Sequence, residues 1–227
     1  MRTGRPDSSD PGEGAAGPRR ARPVSLLAGL ALAAIFSFFY WHSWSAPQAG
    51  EPTLRIRLDS LGGPAWLRPA GQDLRMLDPM GRQLPSREGG ALRACGGALL
   101  DEAGRPLPQP LRLQARGPIV LEPAGRSWSG VLEVRARGEC LEIHDTLSME
   151  DYLPGVVAGE LGDAWPWEAL LAQAIAARTY ALWTHGERRA APFHLTDTAH
   201  YQVFLGFVDP DRPVGRAVRA TRGQILR

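Results

Sequence analysis

The sequence predicts an α+β fold: an N-terminal transmembrane helix, a small antiparallel β-rich region, then a short helix and a long Ala-rich helix packed on strands. Three observations predict it. Residues 24–41, VSLLAGLALAAIFSFFYW, are uncharged and mostly apolar. Residues 54–58, 111–115, 119–122, 131–135 and 141–145 are short runs, several alternating apolar and polar, separated by Gly and Pro; that is the pattern of short antiparallel strands. From Pro154 to about His185 the apolar spacing changes to three and four, which is the helical period.

Residues 1–23 are polar and rich in Gly, Pro and Ser, so a disordered cytoplasmic tail is expected. Residues 24–41 span roughly 27 Å as a helix, just short of a hydrocarbon core of about 30 Å. Arg19, Arg20 and Arg22 precede the segment, and Phe36, Phe38, Phe39, Tyr40 and Trp41 close it. Basic residues favour the cytoplasmic side and aromatic rings the interface, so a single-pass anchor in the cytoplasmic (inner) membrane is expected, with the bulk of the chain on the extracytoplasmic side. The rival reading is a cleaved signal peptide ending at Ser43-Trp44-Ser45. Residues 42–52 form a linker, 53–140 the β-rich region and 141–227 the last domain. An exported body makes a disulfide between Cys95 and Cys140, the only two cysteines, chemically possible.

Hydrophobic content of 44% and charged content of 22% fit a globular protein. A net charge of +2 gives no footprint for nucleic acid, so no such partner is expected. All 26 basic residues are Arg, which fits a GC-rich genome.

Residues 149–180 are the chemical centre of the sequence. Ser148 and Asp151 have capping-box spacing. Pro154 fits the first turn of a short helix over 154–161 that carries Glu160 near its end. Gly162, Asp163 and Ala164 turn the chain, and Pro166 opens a second helix that Gly186 stops. Trp167, Leu171, Ile175, Arg178 and Leu182 form one stripe of that helix. A buried guanidinium needs a carboxylate, and Glu160 is the leading candidate; the alternative is that Arg178 snorkels to solvent. Trp167 is read as core, and Trp165 as core or a sugar-stacking ring.

The run SMEDYLPGVVAGELGDAWPWEALLAQAIAARTYAL resembles the signature of the SpoIID/LytB family, the stage II sporulation protein D cell-wall enzymes and the LytB amidase enhancers. Residues 197–206, DTAHYQVFLG, resemble its second motif, and 219–226 the strand lead-in that follows it. The resemblance covers roughly residues 142–227 and implies a protein acting on peptidoglycan glycan strands. It places the catalytic acid on Glu160 and the family's functional arginine on Arg178. Trp165, Gln173, Asp197, His200 and Gln202 are the candidate substrate contacts; the alternative for Asp197, His200 and Gln202 is that they only satisfy hydrogen bonds of their loop. The resemblance also implies a lytic transglycosylase, in which the sugar's own 6-hydroxyl attacks and one carboxyl group suffices, where most hydrolases need two. The second reading is a non-catalytic glycan-binding module or an activator of a murein amidase. Some members bind zinc with Cys and His; here Thr196 and Tyr201 stand at those places, leaving His200 and His194, so no metal and no cofactor is expected. Members usually continue past the point where this sequence ends, so a shortened domain is expected.

Overall fold

The computed structural model describes residues 50–85 and 90–227. The expected tail, anchor and most of the linker lie outside the described residues. No helix among the described residues is long and apolar enough to cross a membrane.

Eleven strands occur among the described residues: β1 (Thr53–Arg57), β2 (Trp66–Ala70), β3 (Arg75–Leu77), β4 (Leu92–Cys95), β5 (Ala98–Leu100), β6 (Leu111–Gln114), β7 (Ile119–Glu122), β8 (Arg126–Trp128), β9 (Val131–Arg137), β10 (Cys140–Ser148) and β11 (Leu195–Thr196). The helices are α1 (Met149–Glu160), α2 (Trp167–Glu187) and α3 (Pro213–Ala220). One sheet runs β11-β1-β10-β9-β6-β3 and the other β5-β4-β2-β7-β8. Pairing is antiparallel except for β1 with β11. Thus β1 lies between β10, which leads into α1, and β11, which immediately precedes the second motif.

The alternation read from the sequence is the alternation of burial. Leu54 and Ile56 of β1, Leu111 and Leu113 of β6, and Leu132 and Val134 of β9 are fully buried, and their polar neighbours face outward or lie half-buried. On β10 the inward positions are Leu141, Ile143, Asp145 and Leu147, so a carboxyl group takes an apolar place. Cys95 and Cys140 are free and exposed.

One turn is built twice from one motif. Leu77-Asp-Pro-Met-Gly-Arg-Gln-Leu84 and Leu100-Asp-Glu-Ala-Gly-Arg-Pro-Leu107 share a pattern. Asp78 Oδ1 accepts from the amides of Met80 and Arg82, and Oδ2 from Arg82 Nε at 2.7 Å. Asp101 does the same with Ala103, Arg105 and Arg105 Nε. Gly81 and Gly104 take φ of 79° and 77°, where a side chain would be strained. A third version, Leu121-Glu-Pro-Ala-Gly-Arg-Ser-Trp128, has Glu in place of Asp. Its arginine, Arg126, reaches instead to Ser60 Oγ at 2.8 Å and to the Phe204 carbonyl at 2.9 Å.

The helices depart from the sequence reading in three respects. First, α1 starts at Met149, not Pro154, because Ser148 caps it: Ser148 Oγ accepts from the Asp151 amide at 3.1 Å. Pro154 lies inside the helix and denies the Glu150 carbonyl its helical donor. Second, of the expected stripe on α2 Arg178 and Leu182 are buried and Leu171 and Ile175 half-buried, while Trp167 is 42% exposed; Leu170, Ala174, Ala177 and Ala181 complete the buried face, so its centre is rotated by about one residue. Small side chains let α2 approach its neighbours closely, and Trp167 sits at the open first turn. Third, residues 219–226 are not a strand lead-in. Arg219 and Ala220 end α3, which buries Val214, Ala217 and Val218, and Thr221 caps it.

Candidate functional site

Glu160 is the last residue of α1, and its position follows from two glycines below it. A Cβ on Gly155 would collide with the Gly206 carbonyl and lie 2.6 Å from the Phe204 ring. One on Gly159 would collide with the Val203 carbonyl. Residues 203–206 therefore lie directly on the helix backbone. Glu160 Oε1 then accepts the Val203 amide at 3.0 Å. Leu161 and Gly162 both donate to the Val157 carbonyl, and Gly162, at φ 80°, turns the chain away. Glu160 is exposed, whereas Val156 and Val157 one turn earlier are wholly buried. The carboxylate therefore stands at an exposed helix end and not among the buried valines.

Arg178 is 1% exposed and does not meet Glu160. Its Nε and Nη2 bind Glu150 Oε1 and Oε2 at 2.8 and 2.9 Å, a parallel two-point pairing. Nη1 donates to the Gln224 carbonyl at 3.2 Å and Nη2 to the Val218 carbonyl at 3.2 Å. The guanidinium thus ties α1 and α2 to the end of α3. Glu160 was the carboxylate nearest in motif; Glu150 is the one whose helix turn faces α2. A pocket of about 280 Å³ opens beside the pair, lined by Glu51, Met149 and Arg222 among others.

Asp197 and Gln202 are both buried. Asp197 accepts the Ser60 amide at 2.9 Å and the Ser60 hydroxyl. With Arg126 of β8 on the same hydroxyl, this network binds the second motif to the turn after β1 and to the second sheet. Gln202 accepts from Tyr152 Oη at 3.4 Å and donates to the Ala177 carbonyl at 3.4 Å, bridging α1 and α2. Burial pushes the Tyr152 phenol well up, and Tyr180, Glu160 and Asp197 add to the effect.

Residues 137–227 match the sequence model of the SpoIID family, described as Stage II sporulation protein. An uncharacterized protein of Brachyspira hyodysenteriae is 44% identical over 81 residues, which is 35% of this chain and 22% of that protein. The match therefore spans about a fifth of the relative's length. No solved structure matches.

Within the SpoIID segment the other candidate residues divide by exposure. His200 is exposed, edge-on to the Tyr201 ring at 4.9 Å. Trp165 is 40% exposed on the connector after Glu160. Gln173 is buried on α2, one turn before Ala177. His194 is buried, and its Nδ1 accepts the Arg55 amide at 3.1 Å. Among the described residues there is no group of three or more His, Cys, Asp or Glu able to hold a metal ion. The sequence reading missed Glu150, Ser60 and the Val203 amide. Glu150 lies within the quoted run but was given no role there, and a backbone amide carries no signal of its own.

Asp145 and His194 are two of the buried titratable groups of residues 137–227 that lie outside this constellation. Asp145 is fully buried, and among the described residues neither of its oxygens meets a partner in good hydrogen-bond geometry, although the Gly130 backbone lies beside it. Burial pushes its carboxyl up to about 8; the nearby Gly130 backbone opposes this and the charge of Asp151 adds to it. Burial, then the charge of Arg55 and His185, lowers His194 to about 4.

Proposed function

We propose that this protein acts on peptidoglycan glycan strands as a lytic transglycosylase, with Glu160 as the proton carrier. The observation that supports this best is the state of Glu160. One oxygen is fixed by the Val203 amide, and the other makes no hydrogen bond among the described residues, at an exposed helix end. A carboxyl group so held has one oxygen aimed outward for a ligand. Protonated, it gives its proton to the glycosidic oxygen as the bond to the anomeric carbon breaks. The carboxylate then takes the proton of the sugar's 6-hydroxyl as that oxygen closes on the anomeric carbon. The products are an anhydro-ended strand and a strand with a new hydroxyl end, and Glu160 is protonated again. Arg178 acts in this reading through the scaffold, by fixing α1 and α2 against each other.

The place of action is the extracytoplasmic side of the cytoplasmic membrane, with residues 24–41 as the anchor; the apolar run and its basic flank support this. One observation favours a second reading, a non-catalytic glycan-binding module or amidase activator: Glu160 stands exposed and apart from Arg178. Digestion of peptide-free murein glycan by the soluble part, with products weighed by mass spectrometry, separates the two. Anhydro-ended fragments from wild type and none from Glu160→Gln support catalysis. Glycan that is bound but uncut by both proteins leaves the accessory role.

A further inference from the structure

Two residues before Val203, the partner of Glu160, begins a ladder of flat groups that none of the roles above uses. Its first member is Tyr201. The Arg188 guanidinium lies 5.7 Å from the centre of the Tyr201 ring and 5.1 Å from that of Phe193. Arg57 covers Phe193 at 4.1 Å. Tyr180 and Tyr201 pack against the core yet remain half-buried, and Phe193 and Arg188 are half-buried too.

We propose that Tyr201 and Arg188 form a sugar-stacking subsite that holds the glycan next to Glu160. This deepens the glycan-cleaving reading and rests on it. A pyranose presents one face of slightly positive C–H bonds, and an aromatic ring presents a slightly negative face, so the two stack. A planar guanidinium stacked on rings extends the platform and offers edge donors to hydroxyl or carboxylate oxygens. A platform placed two residues from the group that orients Glu160 fixes where along the strand the proton is delivered.

The experiment uses the Glu160→Gln protein, so that binding is read without turnover. Its affinity for peptide-free murein glycan is compared with that of Tyr201→Phe and Tyr201→Leu made in the same background. Leucine keeps the packing on the core but has no ring face, and circular dichroism checks that each variant is folded. The expected result is roughly five- to tenfold weaker binding for Tyr201→Leu and unchanged binding for Tyr201→Phe. In the active protein, the leucine variant then raises KM more than it lowers kcat. Equal binding by the folded leucine variant overturns the subsite and leaves the catalytic reading standing. If the parent protein binds no glycan and wild type cuts none, the catalytic reading falls and the subsite falls with it.

Discussion

Arg178 and Glu150 close on each other through two parallel hydrogen bonds, with the guanidinium 1% and the carboxylate side chain 14% exposed. The pair joins the first turn of α1 to the middle of α2. Removing one partner leaves a charge stranded in a low-dielectric place. Glu150→Ala is therefore expected to cost about 3–5 kcal/mol, read as a shift in the denaturant midpoint. A double variant, Glu150→Leu with Arg178→Met, is expected to cost less than the single change, because no unpaired charge remains.

Gly155 and Gly159 set the height of residues 203–206 above α1. Gly159→Ala drives a methyl group into the Val203 carbonyl. A loss of about 1–3 kcal/mol is expected from the overpacking. The Glu160 contact to Val203 is expected to go with it, seen as faster hydrogen exchange at the Val203 amide. An alanine scan confined to exposed Glu187, by contrast, is expected to change stability by less than about 0.5 kcal/mol.

Asp145 gives the alkaline side of the stability profile. Its folded pKa, about 8, lies above the unfolded value near 4. The folded protein keeps a proton that the unfolded chain releases across that window. Stability from this group is therefore full below about pH 4 and falls as pH rises to about 8, by on the order of 1 kcal/mol per unit. Asp145→Asn is expected to remove that slope in urea titrations between pH 6.5 and 8.

His194 acts on the acid side with the opposite sign. Its folded pKa, about 4, lies below the unfolded value near 6.5. The unfolded chain takes up a proton first, so stability falls as pH drops from about 6.5 to 4. In that same window Asp145 gains as pH drops, and the two slopes offset each other. The Asp145→Asn protein is expected to show the acid loss alone, and His194 to titrate near 4 by NMR.

Much of the scaffold was legible because it is periodic. Leu54, Ile56, Leu111, Leu113, Leu132 and Val134 alternate along their strands and are buried. Ser148 stands three residues before Asp151 and caps α1. The repeated Leu-Asp-x-x-Gly-Arg-x-Leu motif was equally present, since each turn closes within its own eight residues. The faces of α2 were harder, because a helix rich in alanine has little contrast between its sides. Trp167, at its first turn, drew the expected stripe to the wrong register.

The amino-acid order by itself determined the α+β class, the run of strands before the helices, and Glu160 as the acid that ends α1. Only the tertiary structure decided that Arg178 takes Glu150, that Asp197 is spent on Ser60 across 137 residues, and that Asp145 turns inward among leucines with no partner in good hydrogen-bond geometry among the described residues. Local patterns fix which side of an element is apolar, because that follows from backbone periods of two and 3.6 residues. They do not fix which distant group is brought within three ångströms, because that depends on how whole elements pack.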